Sequence, residues 1–130
     1  MLTPTFLYAG RAVLTVSNNK GQHYTFQVKQ AKDWNQNTRY FVSLRTGENY
    51  TYLGMFSSDT LYPTKASKMR KNSTPFKVFN FAVRIINGVQ ELPAGYKIQH
   101  EGKCGKCGKP LTNPVSIETG IGPTCAGRIQ

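Results

Sequence analysis

Acidic side chains are scarce. The 130-residue chain carries 6 Asp and Glu against 17 Lys and Arg, a formal charge of +11 at neutral pH. So large an excess favours a polyanionic partner, nucleic acid first, over an acidic or neutral one. Histidine is limited to His23 and His100. With so few histidines and only scattered carboxylates, no nucleophile and base stand in the spacing that acyl or phosphoryl chemistry requires, and a non-enzyme is expected. Long apolar runs are missing too. No stretch approaches the roughly eighteen residues of a membrane-spanning helix, and residues 1–8 lack the basic region and apolar run of a signal peptide, so the expectation is an intracellular protein with no membrane partner. Cysteine is restricted to Cys104, Cys107 and Cys125. An odd number gathered in the last quarter cannot form the spread-out framework of a disulfide-stapled domain.

What is present suggests one small domain with a thin core. The apolar fraction is 38%, yet seven Phe, seven Tyr and one Trp are too many for a disordered basic tail. Arg11 to Val16 is rich in β-branched residues and is followed by Asn18, Asn19, Lys20 and Gly21, which suit a tight hairpin turn. Residues 23–29 alternate strictly, placing Tyr24, Phe26 and Val28 toward a core. Residues 31–38 form a polar loop that carries Trp34. Tyr40, Val42 and Leu44 then face one side of a third strand, with Phe41, Ser43 and Arg45 on the other. A turn at 46–49 leads to a fourth strand over 50–56, aromatic on one face with Leu53 and Met55 on the opposite face. Residues 57–74 read as a basic loop. Ser73 offers a capping hydroxyl and Pro75 the first helical position of a helix to about Asn87, ended by Gly88. Its wide apolar stripe of Phe76, Phe79, Ala82, Val83 and Ile86 must be buried on the sheet, with the C-terminal module or a second protomer as further neighbours. Tyr96 and Ile98 suggest a last short strand. The expected fold is α+β: a small twisted antiparallel sheet of four to five strands, OB-like, with one packed helix over residues 1–99, and a zinc knuckle over 100–130 packed on it.

The cysteine spacing points to metal. In a Cys-x-x-Cys-Gly turn two thiolates face one ion while glycines let backbone amides curl toward the sulfurs, and tetrahedral zinc needs four donors. Cys104 and Cys107 supply two and Cys125 a third, at the start of a short terminal helix. His100 is the nearest residue able to complete a closed, structural Cys3His site; the alternatives are a bland surface His100 with His23 or an unidentified side chain as fourth ligand. A catalytic zinc would need an open position and a nearby base, and Glu101 and Glu118 sit in no recognisable catalytic spacing.

Residues from His100 onward, through Cys104-Gly105, Cys107-Gly108, Leu111-Thr112, Pro114, Ser116-Ile117 and Gly120-Ile121-Gly122-Pro123 to Cys125, resemble a small zinc-ribbon-like domain of unknown function that recurs in phage and plasmid proteins. The resemblance covers about a quarter of the chain. It implies a viral or mobile-element origin, hence the host cytoplasm, and supports His100 as a ligand.

Zinc on three thiolates lowers the formal charge by only about one, so the basic excess persists. Lys103, Lys106 and Lys109 surround the cysteine turn and offset its charge. Lys65, Lys68, Arg70 and Lys71, with Lys29, Lys32, Arg39 and Arg45, are placed to line one side of the sheet among Trp34, Phe41, Tyr50 and Tyr52. Cations that follow a backbone beside aromatic platforms are the physical recipe for single-stranded nucleic-acid binding. The expected function is therefore single-stranded DNA binding in viral replication or transcription, with Lys65, Lys68, Arg70, Lys71, Arg39 and Arg45 on phosphates and Trp34 stacking. The alternative is an adaptor or inhibitor acting on a phage or host RNA polymerase or a defence protein, using the apolar helix or a homo-oligomer.

Overall fold

The structure, a computed structural model, describes residues 2–111 and 118–122. Its order is α1 (Pro4–Leu7), β1 (Arg11–Ser17), β2 (His23–Lys32), β3 (Thr38–Thr46), β4 (Asn49–Ser57), β5 (Thr60–Tyr62), α2 (Thr74–Ile86) and β6 (Lys97–His100). All strands join one antiparallel sheet in the order β5-β4-β3-β2-β1-β6, curled into a half-barrel. The class is therefore α+β, with six strands among the described residues where four to five were expected. The first hairpin forms where the Asn and Gly residues call for it. Asn18 Oδ1 accepts the amides of Lys20 and Gln22, Gly21 takes φ 81, and Ser17 meets His23 across the turn.

Helix α2 fills the hollow of the sheet. Phe76, Phe79, Ala82, Val83, Ile85 and Ile86 are buried, and the Phe79 ring stands edge-on to Phe26 and Phe56 at 5.2 and 5.4 Å. Burial of each such ring contributes about 1.5–3 kcal/mol. Asn80 carries a polar tie across this face, its Oδ1 accepting the Leu61 amide at 3.0 Å. Ser73 occupies the N-cap position, but its hydroxyl makes no cap bond. The helix begins one residue earlier than expected, at Thr74, so Pro75 becomes the second helical residue and removes an amide that an N-cap oxygen would accept.

The fourth strand departs from simple alternation. Ser43 pairs with Tyr52 and Val42 with Gly54, so Leu53 is an extra residue in a β-bulge. The bulge turns Leu53 and Phe56 to the core and puts Met55 on the side of Tyr50 and Tyr52, against the expected division of faces. Residues 57–74 also contain a strand, since Ser58 and Asp59 at φ 50 and 60 turn the chain back into β5. The Asp59 amide and carboxylate both engage the Tyr8 hydroxyl, which donates to Oδ1 at 2.6 Å, and the Tyr8 ring stacks on Phe56 at 5.0 Å. Burial first, and the bond to Asp59 next, push the Tyr8 hydroxyl up to about 12.

The N-terminal segment ties the C-terminal turn to the sheet. Phe6 is fully buried, and a Cβ on Gly105 would press on its ring at 2.8 Å; Gly120 borders the same ring. The Gly105 amide donates to the Gly120 carbonyl at 2.7 Å, and the Arg11 amide to the Gly105 carbonyl at 2.6 Å. Cys104 and Ile121 share one apolar cluster with Leu2, Phe6 and Leu7.

Candidate nucleic-acid interface and cysteine turn

None of the six acidic residues lies in a strand. The strands hold Arg11, Lys29, Lys32, Arg39, Arg45 and Lys97. Strand register places Arg11, Lys29, Phe41, Met55 and Tyr62 in one row across the convex face. Val13, Gln27, Ser43 and Tyr52 form the next, and Arg45 faces Tyr50 beyond it. Arg39 and Arg45 share this face with Phe41 between them, about 20 Å apart at the usual rise per residue. Phe41 and Tyr52 are half-buried neighbours with ring centroids 6.1 Å apart, while Tyr50 is 40% exposed. Lys32 has the opposite parity and donates from Nζ to Thr38 Oγ1 at 2.9 Å, so it does not join this surface.

The basic loop keeps to the β4 edge of the sheet. The Lys68 amide donates to the Tyr52 carbonyl at 3.1 Å, and the Tyr52 hydroxyl bonds Thr64 Oγ1 at 3.1 Å. Lys65, Lys68, Arg70 and Lys71 are all exposed. Trp34 stands in the β2–β3 turn at 89% exposure, at the Arg39 end of the face. Arg39 is partly committed, since its Nε lies 3.1 Å from Asp33 Oδ2. The Asn37 amide, followed by Arg39 and the Asn35 amide, holds the Asp33 carboxyl below the usual range.

At the other end of the sheet, Cys104 opens a tight turn. Its amide donates to the Lys109 carbonyl at 2.8 Å, Gly108 donates back to the Cys104 carbonyl at 2.9 Å, and Lys103 bridges Pro110. Gly108 sits at φ 79, a conformation that glycine reaches without strain. The Cys104 sulfur accepts the amides of Lys106 at 3.4 Å and Gly122 at 3.2 Å. Burial, the largest influence, acts to raise the thiol, but the amides of Gly122, Cys107 and Lys106 with the Cys107 thiol outweigh it and bring Cys104 down to about 7. Cys104 is buried and Cys107 half-exposed.

His100 ends β6, opposite Leu14, with its ring 6.2 Å from Phe6. The Gly102 amide donates to His100 Nδ1 at 2.8 Å, so the nitrogen turned to metal would be Nε2. His23 lies three residues along β1 and two strands away, roughly 14 Å by strand geometry, too far to serve the same turn. Among the described residues no group of three or more His, Cys, Asp or Glu side chains stands close enough to hold an ion. Cys125, with the expected terminal helix around it, lies outside the described residues.

Residues 98–130 match DUF6011, a family of unknown function. The match takes in His100 and all three cysteines and leaves β1–β5 and α2 outside it. No curated protein and no solved structure matches the chain. Among the described residues no helix is long and apolar enough to cross a membrane.

Sequence reasoning missed a second feature of this end of the molecule. A cleft of about 440 Å3 opens between the convex face of β1–β2 and the cysteine turn, lined in part by Arg11, Val13, Gln27, Lys29, Glu101 and Lys103. The Arg11–Lys29 pairing rests on a five-residue turn over 18–22, one residue longer than the 18–21 turn read from the sequence, which would have set Arg11 opposite Val28.

Proposed function

We propose that this is a non-enzymatic, phage-type protein that binds single-stranded nucleic acid, DNA in viral replication or transcription, on the convex face of its sheet. The observation that carries the reading is a sheet face with cations and aromatics in adjoining rows and no carboxylate in any strand. Arg45 and Lys29 neutralise phosphates, Phe41, Tyr50 and Tyr52 offer faces for bases, and the loop cations Lys65, Lys68, Arg70 and Lys71 flank the β4 edge. Trp34 adds a stacking surface at one end, while Arg39, held by Asp33, contributes less than the other cations. Duplex readout is disfavoured because α2, which could enter a groove, is packed inside the half-barrel. The same burial takes from a protein-adaptor reading the apolar helix face it would have used.

Zinc is part of the proposal. The donor chemistry fits, since amides converge on the Cys104 sulfur as they do around metal-bound thiolates, and Gly122 touches that sulfur three residues before Cys125. Three residues span at most about 11 Å, so the chain length is compatible with His100, Cys104, Cys107 and Cys125 as the ligand set. A closed Cys3His zinc would supply stability and no reaction step.

The test is fluorescence anisotropy of labelled single-stranded and duplex oligonucleotides across a salt series, with wild-type protein and the quadruple alanine variant at Lys65, Lys68, Arg70 and Lys71. Single strands are expected to bind more tightly than duplex, with a log-log salt slope of about −0.7 per neutralised phosphate that becomes shallower in the variant. Equal, feeble binding of both forms that ignores the variant would overturn the reading.

A further inference from the structure

We infer that the cleft beside the cysteine turn is a phosphate-binding subsite, one that rests on the nucleic-acid reading and extends it. Arg11 and Lys29 are direct cross-strand partners, an arrangement of like charges that destabilises a sheet when nothing lies between them. Lys103 faces them across the cleft, and Glu101 is the only carboxylate among the described lining residues. Cys104 and Cys107 also line the cleft, and even with the single net negative charge of a zinc-loaded Cys3His turn beside Glu101 the three cations leave an excess of positive charge in a concave space of about 440 Å3, a volume suited to a small ligand group.

Arg11 is held in place for this role. Its backbone amide donates to the Gly105 carbonyl at 2.6 Å, and its Nη1 reaches the Cys107 carbonyl at 3.5 Å. One long hydrogen bond leaves the rest of the guanidinium fork to meet phosphate oxygens, which its planar geometry matches. Val13, on the solvent side of β1, is nonetheless only 7% exposed, so the cleft is partly walled from water and its charges are less screened than on an open surface. Phe41 is the next residue in the row after Lys29, one strand spacing of about 5 Å away. A phosphate over Arg11 and Lys29 would therefore have an aromatic face beside it for the attached base. The cleft becomes one end of a track that continues over Phe41 toward Tyr52.

The shared chemistry is the phosphate group, whether in a nucleic-acid strand or free, and the experiment separates the two. Isotope-labelled full-length protein, loaded with zinc, is titrated with pyrophosphate and separately with a short thymidine oligonucleotide while backbone amide shifts are followed by NMR. Pyrophosphate is expected to move Val13, Gln27, Lys103 and Gly108, and the oligonucleotide to move these and Phe41. Lys29→Gln with Lys103→Gln, at two exposed positions, is expected to weaken the pyrophosphate titration about tenfold or more, given about 1.5–3 kcal/mol per charged hydrogen bond, with an otherwise unchanged spectrum. Arg11→Lys, which keeps the charge and loses the fork, is expected to weaken it less. Pyrophosphate shifts at the cleft with no oligonucleotide binding would keep the subsite and overturn the nucleic-acid reading. Oligonucleotide binding with no shifts at the cleft, unaffected by the double variant, would overturn the subsite and keep that reading. Silence from both probes would overturn both.

Discussion

Replacing Gly105 with alanine tests how the C-terminal turn is seated on the body of the protein. A Cβ at this position would stand 2.8 and 2.9 Å from Phe6 Cδ1 and Cε1 and 3.5 Å from the Ala9 Cβ. Gly105 is not in the left-handed region, so backbone strain contributes nothing and the cost is steric. Phe6 is fully buried, and its ring cannot give way into solvent. Overpacking of this kind costs about 1–3 kcal/mol. The stiffer unfolded chain of an alanine variant returns about 0.4–1 kcal/mol, so a net loss of about 1–2 kcal/mol is expected. Phe6→Leu alone is destabilising by less than the roughly 3–5 kcal/mol of Phe→Ala, and it removes the ring edge against which the new methyl presses. The double variant should therefore be more stable than the sum of the two losses by about 1 kcal/mol. Urea unfolding of the four zinc-loaded proteins at constant m-value gives the coupling. Additivity within about 0.5 kcal/mol would refute the packing argument.

Four other outcomes follow from the same structure. Gly54→Ala drives a methyl into the Tyr62 carbonyl, which is backbone and cannot swing aside, so β5 should detach with a loss of about 2 kcal/mol or more, read as a lower urea midpoint. The raised Tyr8 hydroxyl means that its stabilising contribution is complete below pH about 10, the unfolded value, and is lost as pH rises toward about 12. Tyr8→Phe should therefore narrow its stability gap from wild type across that window, and an unchanging gap in pH-dependent unfolding would contradict the assignment. Zinc chelation should collapse the amide signals of residues 100–111 while those of β2–β4 persist, and His100→Ala should lower zinc affinity by more than the roughly 10–100-fold cost of losing an outer ligand partner.

The parts of this molecule that were legible in its sequence are those governed by local periodicity. Tyr24, Phe26 and Val28 alternate, and Phe26 and Val28 are fully buried; Phe76, Phe79, Ala82, Val83 and Ile86 recur at helical spacing, and all are buried. What escaped depends on a single inserted residue or on contacts distant in the chain. The bulge at Leu53 reverses the faces of half a strand, and the only local sign of it is Gly54, whose missing side chain admits the Tyr62 backbone. The clamp between Tyr8 and Asp59 spans 51 residues and has no sequence signature. The cleft exists because β6 pairs with β1, bringing Lys103 to Arg11, whereas the grouping of Phe41 and Arg45 on one face followed from alternation alone. Trp34 was legible as an exposed aromatic because every residue around it is polar.

The central claim is that cations and aromatics on the convex face act together on a single strand, and the two contributions separate on salt. The measurement is the salt dependence of thymidine-oligonucleotide affinity for wild type, Phe41→Ala and Arg45→Gln, with each fold checked by circular dichroism. Phe41→Ala should weaken binding by about 1–3 kcal/mol at every salt concentration and leave the slope unchanged, while Arg45→Gln should make the slope shallower by about 0.7. Affinity and slope unchanged in both variants would place the nucleic acid elsewhere and contradict the account.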